Sequence, residues 1–571
     1  MMLPEAVQPI EEAALQLETP VVELVGQESE AEAVNISPEE VFLCAANSYK
    51  KEGNDCFDKR RFVEAISFYS LAIEKCPMQY TKELAIFHQN RAACHEMLKN
   101  WQQVQEESTL ALKYNHRYAK AYSRRARAYE ATSQLAECLI DITTLCLLEK
   151  CKNKKTLKLR NSVNQKVAFA KAKERMDNLG TALPPKRRIK RYFELFIADP
   201  LQTMTLPASA AMGDAPSLRG FLRAHRAFVE ERFEDVIPAC TEEIEVALEG
   251  ADSQYKLQAL FMRGTLLLLC GSFRESRRDF VAVLADPGAD DNLCIYAQLR
   301  CAVIFFYTEQ EEKALGVLEE LEILDAGNPD IYTQRGLLLS KMGRSEDALL
   351  DFERASRLAP NHATTAFYKH EADYHVAAKE GDKHRIEDAI QRLKQTTEKF
   401  PDCEKGLLML SNAHAEQLNL AEASMCLQRG TELSPATPVL LLFQAILELG
   451  RSNNFDSIFS LLEQARSMDP TCYRVHECLG RAELIRGRLR QAVKHFHAAS
   501  THGRGFDELC NSFSLLAATT AQLEALQNLR MDENDEVMPC INQNECPKKV
   551  CSKHFLSGRA LPEWGTVAEL I

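Results

Sequence analysis

Small and aromatic side chains recur along the chain at fixed offsets. Between residues 46 and 79, Tyr49, Gly53, Ala65, Tyr69, Ala72 and Pro77 stand at positions 4, 8, 20, 24, 27 and 32 of a repeating window. Gly336, Ala348, Phe352, Ala355 and Pro360 repeat that register, and Gly480, Ala492, Phe496 and Ala499 repeat it again. Apolar positions three and four apart make each half of the window an amphipathic helix. Small residues at positions 8 and 20 let two such helices approach closely, and the proline at 32 ends the second because it cannot continue a helix. The pattern predicts antiparallel helix pairs stacked on one another, with no strands.

Helix pairs recurring at a period of about 34 residues are the signature of the tetratricopeptide repeat. Position 8 anchors eleven candidate units, at Gly53, Ala92, Ala126, Ala224, Gly264, Ala302, Gly336, about Ala372, Ser411, Ile446 and Gly480. The step from Ala126 to Ala224 is far longer than the rest. It divides the array into about three repeats and about eight. The expected fold is an all-α tetratricopeptide-repeat solenoid in two modules. Residues 1–38 form an acidic arm, 39–180 the three-repeat module, 181–217 a linker with a docked helix, 218–530 the second array with a capping helix, and 531–571 an irregular tail. The interval carries the linker signature of Pro184–Pro185 and a Pro/Ala/Gly/Met-rich stretch around Pro200–Pro216. A terminal helix over Phe506–Leu529 covers the last apolar face, as a stacked array requires.

Charge narrows the partners. The 571 residues hold 69 Lys and Arg against 82 Asp and Glu, a net charge of −13. That balance argues against nucleic acid, whose phosphates need clustered cations. Met1 to Ser48 contains no Lys or Arg but ten glutamates, from Glu5 to Glu40, which excludes both a secretory signal and a mitochondrial presequence. No apolar run reaches the roughly 18 residues that a spanning helix needs, so a soluble chain is expected. The nineteen cysteines follow no regular spacing and read as reduced thiols.

The candidate chemistry lies on the first helices of the first three repeats. Lys50 and Asn54 occupy positions 5 and 9, Asn90 position 6, and Lys120 and Arg124 positions 2 and 6. At about 100° per residue these positions share one arc of about 100°, opposite the packing positions 4, 8 and 11. Three cations and two amides therefore line one stripe facing away from the core. Such cations repel one another until an anion sits between them. Asparagine donates to a carboxylate without adding charge, and arginine binds one with two parallel bonds. The stripe is suited to a short acidic peptide.

The segments YKKEGNDCF, NRAA and KAYSRRARAY that carry these five residues resemble the dicarboxylate clamp of chaperone-binding tetratricopeptide domains. That resemblance implies binding of the Glu-Glu-Val-Asp termini of seventy- and ninety-kilodalton heat-shock chaperones by Lys50, Asn54, Asn90, Lys120 and Arg124. From about Pro38 to Leu526 the chain also resembles the seventy-kilodalton import receptors of the mitochondrial outer-membrane translocase. The three-plus-eight division, IKRYFELF from Ile189 to Phe196 and EERFEDVI after it carry that likeness. It implies a receptor on the cytosolic face of the outer membrane that docks chaperones, receives precursor proteins in its second groove and works with other translocase subunits. Where family members have a membrane anchor, this chain has an acidic arm, so a soluble co-chaperone or assembly scaffold using the same clamp is the alternative, and a regulatory subunit of an enzyme is a third.

Other signals are assigned to structure. Cys540, Cys546, Cys551 and His554 lack a familiar zinc spacing and read as a tail with free thiols. Lys186, Arg187, Arg188, Lys190 and Arg191, followed by Tyr192, Phe193 and Phe196, read as an amphipathic helix docked on the array. His88 and His95 fall at packing positions and are expected to be hydrogen-bonded core residues. No phosphate loop, zinc-protease helix or nucleophile elbow occurs, so no catalytic residue, cofactor or metal is assigned and an enzyme is not expected. Cys, Met and Phe residues of the second array are taken as core, which leaves its groove without assigned contacts.

Overall fold

The computed structural model of the chain describes residues 37–178, 183–204, 219–248, 254–434, 437–451 and 454–532. The acidic arm as far as Ile36 and the tail from Glu533, with its three cysteines and His554, lie outside them. Among the described residues there are helices and no strand. The chain divides into two compact units, one ending at Ala128 and the other beginning at Tyr129.

Each repeat closes through its aromatic residue. A methyl group at Gly53 would stand 2.7 Å from the Tyr69 ring, one at Gly336 2.7 Å from Phe352, and one at Gly480 2.5 Å from Phe496. The missing side chain at position 8 is the space the ring at position 24 fills. Ala65, Ala72, Ala348, Ala355, Ala492 and Ala499 are fully buried around these rings. In three repeats an ion pair joins the two helices one position earlier. Arg91 pairs with Glu107 at 2.7 Å, Arg263 with Asp279 at 2.7 Å and Arg335 with Asp351 at 2.8 Å. A buried Asp or Glu at position 23 is thus charge-matched within its own repeat.

The turn between the two helices uses one backbone device in nine repeats. Seven residues after the anchor, Arg60, Lys99, Ser133, Glu231, Glu309, Leu418, Gly271, Gly343 and Gly487 all adopt positive φ. Non-glycine residues are strained there by roughly 1 kcal/mol or more. The following N–H offsets that strain by reaching back to the first helix: Arg61 N–H bonds Cys56 O at 2.8 Å, and Asn100 N–H bonds His95 O at 2.9 Å. These bonds satisfy carbonyls that a helix end leaves open.

The first unit begins at a capping box. Ser37 Oγ accepts from Glu40 N–H at 3.3 Å and Glu40 Oε2 accepts from Ser37 N–H at 2.9 Å, which fixes the start of helix Pro38–Asp58. Helix Phe62–Lys75 returns along it, followed by the pair Thr81–Met97 and Trp101–Tyr114 and by helix Ala119–Ala131, within which the unit ends.

In the second unit, helices Leu135–Leu148 and Lys154–Asp177 pack with the last helix, Phe506–Asn528. Asn164 Nδ2 donates to Ser514 Oγ at 2.8 Å. Between them run the repeats from Gly220 to His502. The basic segment forms helix Lys186–Phe193, whose Ile189, Tyr192 and Phe193 are buried in the core of the early repeats together with Phe196. A fully buried Arg300–Asp199 pair fastens the next turn of chain, and Asp330 accepts from Ile197 N–H at 2.9 Å and Ala198 N–H at 3.1 Å. No described helix is long and apolar enough to cross a membrane. Fifteen described cysteines are free thiols, but Cys151 is disulfide-bonded, so the expectation of reduced thiols does not hold there.

Candidate peptide clamp and groove

The five stripe residues lie on helices Pro38–Asp58, Thr81–Met97 and Ala119–Ala131 of the first unit. Asn54 is held from two sides. Its Oδ1 accepts from Tyr69 OH at 2.7 Å and from Asn90 Nδ2 at 3.3 Å. With the oxygen engaged inside, the Asn54 NH2 group is the one left to donate outward. Tyr69 is buried, which together with nearby acidic groups raises its hydroxyl pKa and keeps it a donor.

Arg124 is also held. Its Nε donates to Glu96 Oε2 at 2.7 Å and its Nη1 to the Gln89 carbonyl at 3.0 Å. Gln89 in turn donates through Nε2 to the Lys120 carbonyl at 3.2 Å, lacing helix Thr81–Met97 to helix Ala119–Ala131. Glu96 carries a second cation, accepting from Arg127 Nε at 2.6 Å and Nη2 at 3.1 Å. Burial works against the Glu96 carboxylate, but the bonds from Arg127 and Arg124 hold its pKa below the ordinary value.

The two lysines are placed differently. Lys120 is exposed, and its ammonium has no partner among the described residues. Lys50 is half-buried and, among the described residues, reaches only the neutral Asn47 Oδ1, at 3.5 Å. The structure thus brings Asn54 and Asn90 into direct contact and fixes Arg124, while Lys50 and Lys120 have no carboxylate partner among the described residues. Sequence reasoning missed Glu96, Gln89 and the role of Tyr69. Glu96 stands at position 12, about 120° around the helix and at the edge of the same arc; a search for acids beside the cations finds it.

The two histidines differ from each other. His88 is buried and bonds Glu107 Oε2 through Nδ1 at 2.9 Å. His95 is a correction: it is only half-buried, its Nδ1 has no hydrogen-bond partner among the described residues, and burial lowers its pKa.

In the second unit two adjoining cavities, of about 810 and 160 Å³, share Arg187, Arg191, Leu408 and Val439 in their walls. The smaller has an apolar floor of Leu408, Met409, Leu442 and Phe443. The basic helix forms a rim whose charges are largely spent. Arg187 bonds both Glu404 oxygens at 2.7 Å, Arg191 bonds Glu404 at 2.5 Å, and Lys190 pairs with Glu231 at 2.5 Å. Burial opposes the Glu404 charge, yet Arg191, Thr437 and Arg187 hold its carboxyl at about 2. Lys405 Nζ donates to Tyr368 OH at 2.7 Å and lies over that ring, and burial lowers its pKa.

The tetratricopeptide repeat family matches residues 329–362. Over 491 residues the chain is 28% identical to the Homo sapiens mitochondrial import receptor subunit TOM70, covering 84% of this chain and 80% of that one. Over 127 residues it is 34% identical to the Schizosaccharomyces pombe Hsp70/Hsp90 co-chaperone cns1, covering 20% of this chain and 34% of that one. The crystal structure of yeast Tom70 superposes with a TM-score of 0.50 at 20% identity over 84% of this chain and 96% of that one, which shows the shared fold. The chain is an all-α solenoid of stacked helix pairs with a tetratricopeptide-repeat match at residues 329–362, and over most of its length it is similar to mitochondrial import receptor subunit TOM70.

Proposed function

We propose that the chain is a mitochondrial import receptor whose first unit docks heat-shock chaperones by their acidic C-terminal peptides. Lys50, Asn54, Asn90, Lys120 and Arg124 bind the terminal carboxylates, and the apolar floor of the second unit receives an apolar segment of the precursor. The observation that carries the clamp is the oriented amide pair Asn54–Asn90 beside two lysines without carboxylate partners among the described residues. Each charge-assisted bond is worth roughly 1.5–3 kcal/mol, so several together reach micromolar affinity for a short peptide. No reaction is assigned to the chain. Its expected place is the cytosolic face of the outer membrane, among the other translocase subunits.

Calorimetry with a Glu-Glu-Val-Asp peptide tests the clamp: wild type binds, and equal affinity in Arg124→Ala sinks the assignment. Similarity to a co-chaperone favours a second reading, a cytosolic co-chaperone with the same clamp. Fractionation separates the two. Recovery of the tagged chain with mitochondria, cleaved by external protease, supports the receptor; a wholly cytosolic pool supports the co-chaperone.

A further inference from the structure

The carboxylate of Glu96 lies among the cations of a site argued above to bind anions. On charge alone it is misplaced, because it repels an incoming carboxylate. Its contacts show a different role. Glu96 takes Arg124 by Nε at 2.7 Å while the Gln89 carbonyl takes Nη1 at 3.0 Å. Two of the five guanidinium donors are thereby used, and Nη2 has no partner among the described residues. A guanidinium held at both Nε and Nη1 presents its remaining donors in one orientation, as recognition of a carboxylate needs.

Arg127 completes the device. It covers both Glu96 oxygens, at 2.6 and 3.1 Å, from an exposed position. The Arg124–Glu96–Arg127 triad keeps a net charge of +1, so the acid orients Arg124 without cancelling the attraction for an anion. The Glu96 side chain is 18% exposed and the Arg124 side chain 19%, so the pair is shielded enough for its geometry to persist.

We propose that Glu96 is the positioning residue of the clamp, aligning Arg124 for the peptide carboxylate while Arg127 neutralises its charge. The proposal rests on the clamp reading of the first unit and adds the residue that sets the geometry.

The sign of one substitution decides it. Glu96→Gln removes a negative charge from an anion site at constant shape, and an electrostatic role alone predicts tighter peptide binding. Positioning predicts the reverse, a loss of about tenfold, because Arg124 loses its charge-assisted bond and its fixed orientation. The measurement is titration of the full chain with the Glu-Glu-Val-Asp peptide, for wild type, Glu96→Gln, Glu96→Asp, Arg124→Ala and the Glu96→Gln/Arg124→Ala pair. Glu96 acting through Arg124 gives a loss in the single variant, no further loss in the Arg124→Ala background, and partial recovery in Glu96→Asp. Wild-type binding with Glu96→Gln unchanged or tighter overturns the Glu96 assignment alone. An equal loss in both backgrounds overturns it too, because it marks a general effect on the fold. Absence of wild-type binding overturns the clamp reading and this inference with it.

Discussion

The two units use one helix-pair plan to make surfaces of opposite character. In the first, polar groups on the leading helices of three consecutive repeats meet directly, through Asn54–Asn90 and the Gln89 contacts to Arg124 and Lys120. In the second, apolar residues of helices Glu404–Glu416 and Pro438–Arg451 make a floor, and a helix from more than two hundred residues earlier makes the rim. The first surface is a property of neighbouring repeats. The second depends on an inserted segment, fastened by Arg187 and Arg191 on Glu404 and by the buried Arg300–Asp199 pair. A stack of repeats presents its own stripe without further parts, whereas an enclosed groove needs a wall supplied from elsewhere.

The largest effect is expected where that wall is pinned. Asp199→Ala leaves Arg300 fully buried with its charge uncompensated, although Phe261 and Phe196 still pack on its guanidinium. Breaking one side of a buried pair costs roughly 3–5 kcal/mol. Hydrogen exchange followed by mass spectrometry is expected to show lost protection over residues 183–204 and 291–307. Affinity of the first unit for the acidic peptide stays at the wild-type value. Unchanged exchange would show that the wall holds without the pair.

Acid separates the two units next. In the second, His225, His362, His370, His414, His495 and His502 all have pKa values lowered by burial, His370 to about 4, against His95 alone in the first. The folded second unit therefore binds protons less readily than the unfolded chain. Its stability is fully present above the unfolded histidine value near 6.5 and is lost as pH falls below it toward the folded values. Between pH 7.5 and 6 the stability of the second unit is expected to fall, with several groups contributing together. Exchange protection measured at both pH values, corrected for intrinsic rates, is expected to fall more in the second unit than in the first. Parallel loss in both would break the comparison.

What the sequence discloses follows the same division. The anchors and their aromatic partners, Gly53 with Tyr69 and Gly336 with Phe352, are readable because one helix pair contains the whole interaction. The polar stripe proposed as a clamp is readable because one register places all five residues on a single arc, and the structure joins Asn54 to Asn90 within it. The turn device is not, since its positive φ falls on Arg60, Lys99, Glu231, Glu309 and Leu418, whose side chains carry no turn signal; the backbone bonds around them impose the conformation. Nor is the groove, because the link from Arg187 to Glu404 crosses 217 positions and no local pattern ties them. Leu408, Met409, Leu442 and Phe443 look like any core residues until the basic helix is seen to leave a cavity above them.

That cavity gives a chemical test of the second surface. Phe443→Asp places a charge on the apolar floor, where burying it without a partner is costly. Binding of an apolar precursor segment is expected to fall at least tenfold in a pull-down, with the Glu-Glu-Val-Asp affinity retained. Since Phe443 is itself mostly buried, Leu408→Thr serves as the milder variant, with the same direction expected. Equal capture by all three proteins would remove the floor from the binding surface.

The smallest effects distinguish residues within the clamp. Arg124 and Lys120 each bring one positive charge, so a purely Coulombic site would lose similar affinity from either alanine. They differ in order before the ligand arrives. Arg124 is already immobilised by Glu96 and Gln89, whereas the Lys120 ammonium is exposed and free to rotate. Ordering a long side chain on binding costs up to about 2 kcal/mol, which Lys120 must set against its new contact and Arg124 has largely met in folding. Arg124→Ala is expected to weaken the acidic peptide about tenfold, and Lys120→Ala only about threefold. The Lys120 contribution is also expected to shrink at high salt, since its charge is exposed to screening. Titrations at low and at roughly 0.5 M salt check both points. Equal losses from the two alanines at both salts would show that charge, and not the fixed geometry around Arg124, sets the affinity of the first unit.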